Sequence, residues 1–486
     1  RILGVVVGAV LARRGSSELM TGMSYGPTPV RTPEEASRLP QDDYFCDEAA
    51  PMWSSAGRGD LKMMRFMGAN TVRLYGNDPR NSHDKFLGEA DDLGLQVLPG
   101  MSDWPYYQKN PGNCREGTDF NCFTQVRPLY LDNLRKGFLT AEGKYHRSLR
   151  VMNVLNEPDL KMPPTATIGG ADGPVKMARA LISAFDAMLD AEKEMGVTGP
   201  LINFTATFSY AICMACSRFK SNPALGQMAV LDDAMRNPAQ YGYTPKNDIT
   251  DAYNKRWTHS FNTQNPATDL QHQFLDDYNV AFPNTPVYIG EYHRAKASQV
   301  QDLSTILAVA NRNVLFVGIC FFEFTVSYYK TGTETEFGAF GYGSTKVASM
   351  DYFGMKLDVP CLEPVYEGFA SSMPEEIAKV YGGVVDSSLI CGPGTGSTTA
   401  ADRTSTSQAS TSRFLEPTAT TAEGATTSPS SGGATTTEQS DDVDTGVKSS
   451  APRSTQGPVF DLPMSSASGR LCLSVAVLLM AVGFEL

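Results

Sequence analysis

Two glutamates in this chain have the setting and spacing to do chemistry together. Glu157 lies in Val-Leu-Asn-Glu-Pro (154–158), and Glu291 lies in Val-Tyr-Ile-Gly-Glu-Tyr (287–292). Each ends a short apolar run that reads as a buried β-strand. Two carboxyl groups on either side of one bond, one protonated and one ionised, can break a glycosidic link. In that division of labour Glu291 is the nucleophile, and Glu157 is the general acid that later acts as base. Arg73 and Tyr75, both in Thr-Val-Arg-Leu-Tyr (71–75), could hold the nucleophile's carboxylate and a sugar hydroxyl. Arg73 reads equally well as a structural ion pair inside a barrel. Asp103-Trp104-Pro105-Tyr106-Tyr107 offers an acid and an aromatic surface on which a sugar ring could stack, or else a packed loop. Tyr328-Tyr329 is a similar aromatic candidate, and Tyr292 and Glu323 are candidates to face the same cleft.

These side chains need a scaffold that brings distant strand ends together. Apolar runs recur along the first 330 residues at Leu19–Tyr25, Thr71–Tyr75, Leu95–Gly100, Val151–Leu155, Leu201–Thr205, Trp257–Phe261, Val287–Gly290 and Leu315–Phe322. Helical stretches separate them, among them Leu61–Met67, Lys85–Leu93 and Ala178–Met195. Strands alternating with helices imply an α/β protein with a parallel sheet, and eight such units close as a (β/α)8 TIM barrel. In that fold the C-terminal strand ends form one face. Glu157 would follow strand four and Glu291 strand seven, so both would reach that face. Residues 206–256 are irregular and read as an insertion over it.

The remaining composition sets the surroundings. The chain has 486 residues and a formal charge of −12, with no Lys/Arg-dense stripe, so nucleic acid is not an expected partner. Residues 1–12 read as a truncated signal peptide ending in a Val-x-Ala pattern, with a buried N-terminal strand as the alternative. Residues 18–392 form the expected catalytic domain. Residues 393–470 are dominated by Ser, Thr, Ala and Gly and read as a disordered stalk. Residues 471–486 are hydrophobic and follow small residues, which suits a GPI-attachment signal or a short transmembrane anchor. A monomer displayed at the cell surface is the expectation. Eight cysteines precede the tail, enough for up to four disulfides whose connectivity sequence does not give; Cys114/Cys122 could close one loop and Cys361/Cys391 could fasten the end of the domain. Cys213-x-x-Cys216 has no second pair at zinc spacing, so no metal is expected. No glycine fingerprint for a nucleotide opens a helix, and the chemistry requires no organic cofactor.

With its strands in this order the chain resembles the retaining (β/α)8 glycosidases that carry Asn-Glu after strand four and a nucleophile after strand seven. It is most similar to the GPI-anchored β-1,3-glucanosyltransferases of glycoside hydrolase family 72. Met67-Gly68-Ala69-Asn70-Thr71-Val72-Arg73-Leu74-Tyr75 looks like that family's Leu-Gly-x-Asn-Thr-Ile-Arg-Val-Tyr segment, and His83-Asp84 matches its His-Asp. Pro286–Tyr292 is similar to its nucleophile strand, and Phe322-Glu323-Phe324 with Phe337-Gly338 stands where it has Tyr-Glu-Tyr and Tyr-Gly. The resemblance implies a β-1,3-glucan partner and a role in cell-wall remodelling. It also implies that Asn156 bonds the 2-hydroxyl beside the reacting carbon. Three positions depart from the pattern. Phe86 stands near a family cysteine, which leaves Cys46 to pair elsewhere or stay free. Phe322 and Phe324 replace tyrosines, and Pro158 follows the glutamate. An endo-β-1,3-glucanase, as in family 17, and an inactive glycan-binding barrel are the alternatives.

Overall fold

In a computed structural model that describes residues 18–108, 112–162 and 172–392, eight parallel strands form a barrel with helices outside it. The strands are β1 (Met20–Tyr25), β2 (Thr71–Leu74), β3 (Gln96–Leu98), β4 (Val151–Asn156), β5 (Asn203–Phe208), β6 (His259–Thr263), β7 (Val287–Tyr292) and β8 (Phe316–Phe321). Sequence neighbours pair from β1 to β3 and from β4 to β8, and β1 pairs with β8. Parallel bridges Val97↔Leu149 and Gly100↔Asn153 close the ring between β3 and β4.

Side-chain alternation divides the apolar residues between two cores. Val72, Val97 and Met152 point outward into the layer beneath the helices. Met20, Leu98, Val151, Tyr288 and Cys320 point inward and fill the barrel as a separate cluster. Branched and bulky side chains stacked in layers make such a barrel a packed core rather than a pore. The next layer toward the strand ends is polar, and buried Arg73 stands in it.

The outer layer comprises α1 (Asp60–Phe66), α2 (Asp84–Asp92), α3 (Phe123–Asn133), α4 (Gly173–Met195), α5 (Leu225–Arg236), α6 (Ile249–Arg256), α7 (Asp276–Ala281), α8 (Gln299–Arg312) and α9 (Met373–Tyr381). Local chemistry sets their ends. Helix α4 starts with Pro174 in its first turn and stops at Gly196, whose φ of 61° suits the left-handed C-terminal cap. Helix α9 opens on a capping box between Ser372 and Glu375. The fifth and sixth strands each start two residues later than their hydrophobicity alone suggests and end three and two residues later, because the ladder continues through the polar Thr207, Asn262 and Thr263.

An antiparallel hairpin, β9 (Phe340–Tyr352) and β10 (Met355–Pro364), separates β8 from α9. Sequence reading does not anticipate it. Its tip is Phe353-Gly354, both at positive φ, rather than the Asn-Gly or Asp-Gly that marks such turns. The hairpin braces the β1–α1 loop. Tyr342 donates its hydroxyl to Thr28 O at 2.8 Å, Tyr352 donates to Asp43 O at 3.0 Å, and Arg31 Nη1 donates to Tyr342 O at 2.7 Å. A buried Arg58–Asp60 pair at 2.7 Å, joined by the Tyr25 hydroxyl, anchors the same region.

Disulfides join Cys114–Cys122, Cys213–Cys216 and Cys361–Cys391, the last tying β10 to the end of the described domain. Cys46 and Cys320 are buried free thiols. The expected leader (1–12), stalk (393–470) and anchor (471–486) lie outside the described residues. No helix among the described residues is long and apolar enough to cross a membrane.

Candidate active site

A cavity of about 380 Å³ opens at the C-terminal ends of the strands, and Glu157 and Glu291 both line it. That volume is in the range of small-ligand clefts. A ladder irregularity precedes each acid. Between β4 and β5 the pairing advances from Asn153↔Thr205 to Asn156↔Thr207, three residues against two. Between β6 and β7 it advances from Phe261↔Ile289 to Asn262↔Glu291, so Gly290 is the extra residue. Bulges of this kind re-aim the side chains that follow them. Glu157 also has a φ of 49°, in the left-handed region that a non-glycine residue seldom occupies. Its backbone N–H is held by Thr207 O at 2.6 Å.

Glu291 is gripped on one oxygen. Arg73 Nη1 donates to its Oε1 at 2.6 Å, and the Tyr75 hydroxyl donates to the same oxygen at 3.0 Å. Arg73 is only 1% exposed, and its Nη1 also reaches Tyr75 Oη at 2.8 Å and Gly290 O at 3.0 Å. Burial raises the Tyr75 phenol well above its ordinary range, so it remains a donor. Oε2 of Glu291 is the oxygen left to meet a ligand.

Glu157 has the opposite environment. It is 7% exposed, and burial first, then the charge of Glu291, push its carboxyl up to about 8. Lys161 and the amide of Asn262 offset part of that rise. A buried carboxyl beside an ionised one keeps its proton at neutral pH, which is what a general acid requires.

The other expected contacts divide. Asn156 lines the cavity, and its Oδ1 accepts from Arg73 Nη2 at 2.7 Å, which leaves its amide NH2 as the group it can offer a ligand. Asp103 lines the cavity and pairs with Lys161 Nζ at 3.0 Å. Glu323 lines it too, accepts the Ser327 hydroxyl at 2.6 Å and is pushed up to about 7 by burial. Trp104 and Tyr292 do not line it. Trp104 is 47% exposed outside the lining. Tyr292 points away from the barrel axis, because its hydroxyl is tied to Asp302 at 2.9 Å and Asn265 O at 3.2 Å. Tyr106 is also in the core, donating to Val154 O at 2.6 Å. Other aromatic rings line the cleft instead, among them Tyr44, Tyr210, Phe322, Tyr329 and Phe337.

Sequence reading misses Asn262, Lys161 and Lys330. Asn262 Nδ2 donates to Glu157 Oε1 at 3.1 Å and lies 3.3 Å from Asn156 Oδ1. The signal was a polar residue just past the apolar part of strand six. Lys161 is four residues beyond Glu157, on the short turn of helix that follows it. Lys330 lies over the Phe322 ring at 5.3 Å and pairs with Glu334 at 3.3 Å.

Fold and site together define a (β/α)8 barrel whose cleft holds one buried carboxyl with a raised pKa and one arginine-bound carboxyl. No known family's sequence profile matches the chain, and no characterised protein matches it in sequence. Among solved structures it is similar to Saccharomyces cerevisiae Gas2p in complex with laminaritriose and laminaritetraose, at 14% identity and a TM-score of 0.42, covering 77% of this chain and 66% of that one. The laminaripentaose complex of Gas2p gives 14%, 0.42, 77% and 67%, and ScGas2 with compound 8 gives 14%, 0.43, 77% and 66%. The chain thus spans just under two thirds of the first of these proteins.

Proposed function

We propose that the chain is a retaining carbohydrate-active enzyme that acts on β-1,3-glucan through a covalent glycosyl-enzyme. The observation that carries the reading is the asymmetry of the two carboxyls: Glu291 is held by Arg73 and Tyr75, whereas Glu157 is buried and pushed up to about 8. In the first step Glu291 Oε2 attacks the anomeric carbon as the bond to the leaving oxygen breaks. Glu157 delivers its proton to that oxygen. Once Glu291 is an ester, its charge no longer raises Glu157, and the Glu157 carboxylate can take a proton from the incoming hydroxyl. That hydroxyl attacks the anomeric carbon and releases Glu291.

The β-1,3-glucan assignment rests on the resemblance of Met67–Tyr75 and Pro286–Tyr292 to family 72, with Asn156–Glu157 shared with the wider group of retaining barrels and Asn156 placed on the 2-hydroxyl. Asp103 and Glu323 are the cleft carboxyls offered to sugar hydroxyls. Glucanosyl transfer in the cell wall, from a surface-anchored position, is the finer form of the proposal. Incubating residues 13–393 with reduced laminari-oligosaccharides and sizing the products tests it. Products longer than the substrate establish transfer, and only shorter ones establish hydrolysis. Binding without turnover would overturn the enzymatic reading in favour of a glycan-binding barrel.

A further inference from the structure

A line of side chains joins the two carboxyls, and its donor–acceptor sense is fixed from one end. Arg73 carries only donors. The Asn156 atom 2.7 Å from its Nη2 is therefore the carbonyl oxygen and cannot be the amide nitrogen. The Asn262 atom 3.3 Å from that oxygen must then be a nitrogen, since two carbonyl oxygens would repel. The same NH2 has its second proton for Glu157 Oε1, at 3.1 Å. Oε1 is thereby made the accepting oxygen of the acid, and the proton of the neutral carboxyl falls to Oε2.

The seat of Asn262 is built for this purpose. The bulge at Gly290 sets Asn262 opposite Glu291, and a Cβ at 290 would lie 3.0 Å from Asn262 Oδ1, 2.7 Å from Ser260 Oγ and 2.7 Å from Thr207 Cγ2. Glycine leaves space there for the amide oxygen, with the NH2 turned up toward Asn156 and Glu157.

We propose that Asn262 is a positioning residue for the reaction, fixing the proton of Glu157 on Oε2 and steadying the carboxylate that forms when it leaves. The inference rests on the reading of Glu157 as acid/base. The charged groups facing Glu157 are Glu291 from β7 and Lys161 and Asp159 from the segment after β4, with Asp103 holding Lys161 from the β3 side. Asn262 is the neutral donor among them. A hydrogen bond to a carboxylate favours the ionised form, so its removal raises the acid's pKa and leaves its proton without a preferred oxygen.

Asn262→Leu keeps the volume and removes the amide, and Asn262→Ala is the second variant. The pH profile of kcat/KM is measured on a laminari-oligosaccharide and on its 2,4-dinitrophenyl glycoside, whose leaving group needs no proton. Expected for both variants is an alkaline limb moved to higher pH. The expected loss is about 10–100-fold on the oligosaccharide, part of the ~10²–10⁴ that general acid catalysis supplies, and about threefold or less on the activated glycoside. In parallel, Glu157→Ala is assayed on the activated glycoside with and without azide. Azide rescue together with an unmoved limb in the Asn262 variants overturns the proposal alone. Failure of rescue overturns the acid/base reading and the proposal with it. Equal losses on both substrates, or unfolding of both Asn262 variants, would make Asn262 merely structural and also overturn the proposal.

Discussion

Replacing Glu157 with Gln changes how stability depends on pH, and the size of the change follows from the site. The native carboxyl keeps its proton up to about pH 8, whereas a glutamate in the unfolded chain releases its proton near 4.5. Between those values the native state binds a proton that the unfolded state does not, so stability falls as pH rises through the window. Each pH unit inside it costs about 1.4 kcal/mol. From pH 5 to pH 7 the wild type should therefore lose roughly 2–3 kcal/mol relative to the variant. Gln has the shape of the protonated acid, and its Oε1 can still accept from Asn262, so the packing is kept. The assay is guanidinium unfolding at pH 5, 6 and 7, followed by tryptophan fluorescence, with the wild-type value subtracted from the variant's at each pH. Glu323, which burial also raises, contributes to both proteins and cancels in the difference. A difference that stays flat, or that moves in favour of the wild type as pH rises, would refute the assignment of the retained proton to Glu157.

Arg73→Lys should lower kcat/KM by about 10²-fold or more while the fold persists, because one ammonium cannot hold Glu291, Tyr75 and Asn156 as the guanidinium fork does. Steady-state rates beside a thermal melt check this, and a loss under threefold would contradict it. Gly290→Ala should destabilise the domain by about 1–3 kcal/mol through overpacking against Ser260 and Thr207, with activity falling in the fraction that stays folded. Equilibrium unfolding and active-site titration separate the two effects. Mutating both Cys361 and Cys391 to serine removes a bridge across a sequence separation of 30 and should cost about 3–4 kcal/mol by the chain-entropy estimate, read as a lowered denaturant midpoint.

The parts of this protein that the sequence determined are those where local pattern and chemistry coincide. The apolar runs around Val72, Val97, Val154 and Ile289 had to be strands buried on both faces, and the helical stretches between them had to cover those faces. Their alternation left few architectures other than a parallel barrel. A barrel brings strand ends four and seven to one face, so Glu157 and Glu291 were legible as a pair, with Arg73 and Tyr75 as candidates beside them and Asn156 named only by resemblance. Cys114–Cys122 and Cys361–Cys391 were possible pairs in the sequence, and the fold made them bridges. Tertiary structure decided what depends on direction and register. Trp104 and Tyr292 have the right chemistry for a cleft but leave it, one to the exterior and the other to a bond with Asp302. Asn262 stands opposite Glu291 because a single extra residue at Gly290 shifts the β6–β7 ladder, and no periodicity in the sequence marks that shift. The hairpin at 340–364 braces the cleft loop through residues more than 300 positions away, such as Tyr342 on Thr28. Hydrophobic pattern reports which face a residue prefers. Which partner it meets, and which of its oxygens holds a proton, is set only when distant strands close on one another.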